Sequence, residues 1–158
     1  TIERCYAVTD ETLHTVFEQL YRQGIIYDEM ILKPSMVISG QNSPTQATVE
    51  QVADQTVECL LKNVPATVAG VAFLSGGQTI EQASEHLNLM NIKYKSQCPW
   101  QITFSYARAI QQPALDYWRG HDANITNAQQ LLLHRAKCNS AASLGQYSSQ
   151  MEKTPALV

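Results

Sequence analysis

Three short apolar runs constrain this chain more than any other feature. They are Met30-Ile31-Leu32-Lys33-Pro34-Ser35-Met36-Val37-Ile38, Val68-Ala69-Gly70-Val71-Ala72-Phe73-Leu74 and Trp100-Gln101-Ile102-Thr103-Phe104-Ser105-Tyr106. The second is continuous, and the third is rich in the β-branched and aromatic residues that suit a pleated surface. The first is apolar on both sides of a lysine, which predicts a strand buried on both faces. Each run breaks into polar or glycine-containing residues before a helical pattern begins. The cores start roughly 38 and 34 residues apart, within the size of a βα unit of ~30 residues or more. The chain is therefore expected to be α/β: a helix, then three strand-loop-helix units around a parallel sheet. A complete (β/α)8 barrel takes ~250 residues. With 158 residues and three strands, this chain reads as the last three βα units of such a barrel. A small open sheet is the alternative.

The helices are punctuated by local chemistry. Thr9-Asp10 is the expected cap of the first, followed by Leu13, Val16, Phe17, Leu20 and Tyr21 at helical spacing, with Gly24 as the residue that ends it. Thr48 to Gln51 and Thr79 to Gln82 both have the T-x-x-Q spacing of a capping box. The helix after Thr48 points Val49, Val52, Ala53, Val57, Leu60 and Leu61 inward and ends near Asn63. The helix after Thr79 points Ile80, Ala83 and Leu87 inward. A short helix is expected from Pro113 to Trp118, ending at Gly120. A long one is expected over 124–144, with Leu131, Leu132, Ala136 and Leu144 toward the core. Residues 1–147 read as one domain portion and 148–158 as a mobile tail. Trp100 and Trp118 read as packing residues, and Asp28 and Glu29 as solvent-facing turn residues.

Several functions are set aside by what the chain lacks. Its net charge of −3 argues against broad attraction to nucleic acid or an anionic membrane. No stretch approaches the ~18 apolar residues of a membrane span. The first residues form neither a basic nor an apolar leader, and the absence of an initiator methionine suggests a processed or excised piece. Cys5, Cys59, Cys98 and Cys138 are scattered, with no C-x-x-C pair, and are expected to be reduced thiols. His14, His86, His121 and His134 form no H-x-x-x-H or comparable pattern, so no metal or cofactor is expected.

The residues that break the apolar runs are the candidates for chemistry. Lys33 lies at the end of the first strand, where Pro34 favours extended backbone. A lysine that loses solvation there favours its neutral, nucleophilic amine, as imine-forming enzymes require; an edge lysine that reaches water is the simpler alternative. Ser75-Gly76-Gly77 follows the second strand and precedes a capped helix. Glycines let backbone N–H groups approach an anion, and the helix adds its N-terminal dipole. The simpler reading is a turn. Ser105-Tyr106-Ala107-Arg108 ends the third strand, and Arg108 suits a forked grip on phosphate or an ordinary helix surface. In a parallel barrel these three strand ends meet on one face. An amine, a glycine loop and an arginine there suggest a phosphorylated carbonyl substrate.

At these residues the sequence resembles the class I, Schiff-base fructose-bisphosphate aldolases. The resemblance rests on Ile31-Leu32-Lys33-Pro34-Ser35-Met36-Val37, Gly70-Val71-Ala72-Phe73-Leu74-Ser75-Gly76-Gly77-Gln78, Thr103-Phe104-Ser105-Tyr106-Ala107-Arg108-Ala109, and the run from His134 through Ser140 to Tyr147. It implies the C-terminal portion of a (β/α)8 barrel, with Lys33 forming the imine. It also implies a phosphate site from Ser75, Gly76, Gly77, Ser105, Tyr106, Ala107 and Arg108. The implied reaction is the reversible cleavage of fructose 1,6-bisphosphate to dihydroxyacetone phosphate and glyceraldehyde 3-phosphate, without a metal, in a cytosolic or plastid homotetramer. Many members carry glycine where this chain has Ala107; only its backbone N–H need meet phosphate. The family's acidic and basic partners from earlier strands would lie before Thr1, in a missing N-terminal part of the barrel. Its terminal tyrosine has no counterpart in Pro155-Ala156-Leu157-Val158. A catalytically incomplete binding or assembly module is the competing function.

Overall fold

A computed structural model describes residues 1–153 of the chain. The elements are α1 (Ile2–Arg22), β1 (Ile31–Leu32), α2 (Val49–Asn63), β2 (Gly70–Phe73), α3 (Ile80–Tyr94), β3 (Gln101–Phe104), α4 (Arg108–Trp118) and α5 (Ile125–Ser143). Short 3-10 turns lie at Tyr27–Glu29, Asp122–Asn124 and Ser149–Glu152. The strands form one parallel sheet in the order β1-β2-β3, as the α/β pattern predicts. Ile31 pairs with Gly70, and Gly70 with Gln101. Pairing continues past the strand ends. Leu74 N–H donates to Pro34 O at 3.1 Å and Ser105 N–H to Phe73 O at 2.8 Å.

Local signals explain most of this. Both capping boxes form: Thr48 with Gln51, and Thr79 with Gln82, each satisfying two otherwise unpaired N–H groups. Gly24 closes α1 in the left-handed region, with Ile25 N–H bonded to Leu20 O and Gly24 N–H to Tyr21 O. The core gathers Met36, Val37, Val52, Val57, Leu60, Val71, Phe73, Leu87 and Met90 between sheet and helices. A fully buried side chain such as Phe73 contributes roughly 1.5–3 kcal/mol relative to an exposed one.

Four expectations need correction. α1 begins at Ile2, with Thr1 as its cap, because Asp10 is not a cap at all. Its carboxylate reaches sideways to Lys62 at 2.8 Å and Asn63 at 2.7 Å on α2. β1 is not buried on both faces. It is an edge strand of two residues, with Ile31 67% exposed; Lys33 is exposed, in line with the simpler reading of an edge lysine that reaches water. α4 begins at Arg108, so Pro113 lies inside it. A helical proline leaves the carbonyl four residues earlier without a partner; here that carbonyl is Ala109 O, and Arg135 Nε donates to it at 3.3 Å. Finally, α5 turns Asn127, Arg135 and Asn139 inward with Ala128, Cys138 and Ala142, while Leu132 and Leu144 are exposed and Leu131 and Ala136 half-buried. The buried polar face is tolerated because its groups are paired. Ser84 Oγ–H donates to Asn139 Oδ1 at 3.0 Å, and Asn139 Nδ2 donates to Arg135 O at 2.9 Å.

Among the described residues, two apolar faces lack cover. Leu115, Trp118 and Leu132 line a groove of about 370 Å³ between α4 and α5. Ile25, Ile26 and Ile31 are exposed beside the other edge of the sheet. The segment expected to be a mobile tail forms a turn at Ser149–Glu152; residues 154–158 lie outside the described residues. Among the described residues, no helix is long and apolar enough to cross a membrane.

Candidate active site

The strands bring their candidate residues to one end of the sheet. Leu32, Val71 and Ile102 are neighbours in the ladder, so Lys33, directly after β1, is level with Ala72 and Thr103. Ser75 and Ser105 follow the ends of β2 and β3. Lys33 lines a hollow of about 310 Å³ with Leu32, Pro34, Ser35, Leu13 and Val16. Ser75, Gly76, Gly77, Ser105 and Arg108 do not line that hollow. The candidates thus share one face without being enclosed in one cavity, and the larger groove between α4 and α5 lies away from them.

The loop after β2 is shaped by close packing. Ser75 is buried, and its carbonyl accepts from Gln78 N–H at 3.3 Å, closing a turn over the two glycines. Gly77 has φ +76°, and a Cβ there would lie 2.9 Å from Ile38 Cδ1. A side chain would be strained by that φ, while the contact is with the end of a flexible side chain. At Gly76 a Cβ would meet only the flexible tip of Leu74, at 2.8 Å. Gln78 leads on to His86, with Oε1 2.6 Å from Nδ1. Burial pushes the His86 imidazole down to about 4, so it is neutral at ordinary pH and its Nδ1–H is the donor. Gln78 Nε2 is buried without a hydrogen-bond partner among the described residues.

The loop after β3 is different. Ser105 is exposed. Tyr106 is buried, and its hydroxyl donates to Ala83 O in the first turn of α3 at 2.9 Å. Its side chain braces α3, which leaves its backbone as the part available to a ligand. Burial raises its pKa. Ala107 is the cap residue of α4 and provides no side-chain hydrogen bond, and no acidic residue occupies the first turn. Arg108 then adds a cation at the positive end of the helix dipole, an arrangement that costs about 0.3–1 kcal/mol unless an anion answers it. Uncapped N–H groups with a guanidinium beside them are a ready oxyanion site.

One residue joins the two loops. Arg135 is 2% exposed. Besides Ala109 O in α4, it donates through Nη2 to Ile80 O at 3.1 Å and Ser84 Oγ at 2.9 Å in α3, and it ion-pairs with Glu152. It therefore fixes the first turns of both helices that follow the candidate loops. The sequence signal for it was Pro113: a proline inside a helix implies a carbonyl that needs another donor. No sequence signal pointed to the Gln78–His86 contact.

Comparison with known proteins settles the lineage. A family model described as fructose-bisphosphate aldolase class-I matches residues 1–157. The chain belongs to the class I fructose-bisphosphate aldolase family. A probable class 1 aldolase of Xanthomonas campestris is 48% identical over 147 residues, covering 92% of this chain and 43% of the relative. A cytoplasmic isozyme of Cicer arietinum is 42% identical over 96% of this chain and 42% of its own length. A chloroplastic aldolase of Arabidopsis thaliana is 41% identical over 98% of this chain and 38% of its own. A solved aldolase of Plasmodium falciparum, in complex with TRAP and a small-molecule inhibitor, superposes with a TM-score of 0.90 at 40% identity. That match covers 94% of this chain and 42% of that one. The chain spans about two fifths of the length of the aldolases it matches, consistent with the C-terminal portion expected from the sequence. The family includes cytoplasmic and chloroplastic members.

Proposed function

We propose that the chain supplies the imine-forming lysine and a phosphate grip of a class I fructose-bisphosphate aldolase, active when the remaining strands complete the barrel. In this reading Lys33 Nζ attacks the ketose C2 carbonyl and, with loss of water, forms the iminium. As a base from the rest of the barrel takes the C4 hydroxyl proton, C3–C4 breaks and its electron pair passes to the iminium, leaving an enamine and releasing glyceraldehyde 3-phosphate. A proton then returns to C3, and hydrolysis of the iminium gives dihydroxyacetone phosphate and the free amine. Ser75, Gly76, Gly77, Ser105 and the backbone of Tyr106 and Ala107 hold a phosphate with Arg108, placing the carbonyl against Lys33. The observation that carries this is the common end shared by Lys33, the glycine loop and the uncapped start of α4. The two uncovered apolar faces fit a sheet that other strands and helices complete. The whole enzyme would be a cytoplasmic or plastid homotetramer acting on a phosphorylated sugar.

The test is borohydride trapping with dihydroxyacetone phosphate, in the chain complemented by the N-terminal portion of a family member. Peptide mass spectrometry should place the reduced adduct on Lys33, and Lys33→Met should abolish it together with turnover. An adduct on another lysine, or none in a folded complement, would overturn the assignment and favour a non-catalytic assembly role.

A further inference from the structure

α5 carries a histidine and a cysteine four residues apart, which sets their side chains one above the other on the helix. Cys138 Sγ lies 3.8 Å from His134 Nε2. The Ser149–Glu152 turn folds over the same place, and the sulfur, the ring nitrogen and a Glu152 carboxylate oxygen lie within 4.8 Å of one another. Tetrahedral zinc with bonds of ~2.3 Å to sulfur and ~2.0 Å to nitrogen separates those two donors by roughly 3.6 Å. The helix therefore already presents them at nearly the spacing such an ion needs.

The surroundings support the third ligand. Tyr147 hydroxyl donates to Glu152 Oε1 at 2.7 Å, and Arg135 Nη1 donates to Oε2. An ionised carboxylate accepts about four hydrogen bonds, so these two leave lone pairs free. Outer partners of this kind orient metal-binding carboxylates. Cys138 is buried and its thiol points at Met151 O, 3.6 Å away. Burial and Glu152 both keep that thiol protonated, and a cation would reverse the balance by displacing the proton.

We propose that His134, Cys138 and Glu152 form a binding site for a borderline-soft divalent cation of the Zn²⁺ class, with the fourth position left to water. Occupied, the site pins the Ser149–Glu152 turn to α5 and fixes Glu152 against Arg135. The sequence pattern H-x-x-x-C carries the pair, although no two histidines share a metal-ligand spacing. The inference does not depend on aldolase chemistry, since none of the three ligands is a proposed substrate contact.

Co²⁺ is the probe, a coloured stand-in for Zn²⁺. Titrating the reduced protein without oxygen should give a thiolate-to-cobalt charge-transfer band that saturates at one equivalent and is bleached by Zn²⁺. Cys138→Ser should remove the band, and His134→Ala, at a half-buried position, should weaken binding by more than about tenfold, the low end of what even an outer partner contributes. Circular dichroism checks that both variants stay folded. No band in the parent protein would overturn the proposal. So would a band that persists in Cys138→Ser, which would report one of the other three cysteines.

Discussion

α3 and α4 start one strand apart at the same end of the sheet, and their starts are finished in opposite ways. α3 has a complete capping box, with Glu81 in its first turn. α4 has an alanine at its cap, no acid in its first turn, and Arg108 as its first residue. The first arrangement satisfies the helix from within. The second leaves N–H groups and a guanidinium to be satisfied by something else. An acid at position 107 would stabilise the helix through its dipole by ~0.3–1 kcal/mol, although Ala107, at φ −96° and ψ −75°, lacks the extended backbone with which Thr48 and Thr79 cap. The absence of that acid, at the same end of the sheet as the glycine loop and Lys33, fits the proposed phosphate site.

The largest expected effect removes the brace that both helices share. Arg135→Met takes the cation from Glu152, one donor from Ser84 and from Ile80 O, and the donor to the Ala109 carbonyl that Pro113 leaves open. Loss of one partner of a buried ion pair costs ~3–5 kcal/mol, to be read by urea unfolding. Arg135→Lys should recover only part, because the ammonium cannot reproduce the fork. If the methionine variant unfolds at the parent's midpoint, Arg135 does not brace the two helices.

The next effect isolates the α3 side. His86 titrates near 4 in the fold and near 6.5 when unfolded. The unfolded chain therefore binds the extra proton between those values. The contribution is fully present above pH 6.5 and is lost as pH falls toward 4, roughly 3 kcal/mol in total. His86→Gln should flatten this part of the stability–pH curve between pH 7 and 4.5 and leave the carboxylate contribution. An unchanged slope would mean that His86 is not held neutral behind Gln78.

A smaller effect separates the two glycines. Gly77→Ala forces a side chain into φ +76° against Ile38 and should cost about 1–2 kcal/mol, with weaker phosphate binding. Gly76→Ala displaces only the Leu74 tip and should cost less. Equal losses in calorimetry would remove the conformational argument for the loop.

Much of this was legible in the sequence because it is local. Capping boxes at Thr48 and Thr79, the turn at Gly24 and the order of three strands each follow from residues close in the chain. What was missed depends on distant partners. The exposed edge lysine was one of two readings of Lys33, and choosing it over a strand buried on both faces requires knowing that β1 is an edge. The inward face of α5 was misread because Arg135 and Asn139 are buried by virtue of Ser84, Ile80 and Glu152, which hydrophobic spacing cannot register. The start of α4 was displaced by Pro113, whose cost in the helix is offset by a donor from another helix. Lys33, Ser75, Gly76, Gly77 and Arg108 were named from strand-end logic and resemblance, and the sheet brings them to one end, but not into one enclosed cavity.

The most direct test of the contrast is the affinity of the complemented chain for dihydroxyacetone phosphate, measured by NMR titration in Thr79→Ala and Ala107→Asp. Thr79→Ala should lose ~1 kcal/mol of stability and keep its affinity within about twofold, a few tenths of a kcal/mol. Ala107→Asp should gain a few tenths of a kcal/mol to about 1 kcal/mol of stability from the helix dipole and lose affinity by tenfold or more, the equivalent of ~1.4 kcal/mol, because its carboxylate competes with the phosphate. An Ala107→Asp protein that binds the ligand as tightly as the parent would contradict the claim that the open start of α4 is where the phosphate is held.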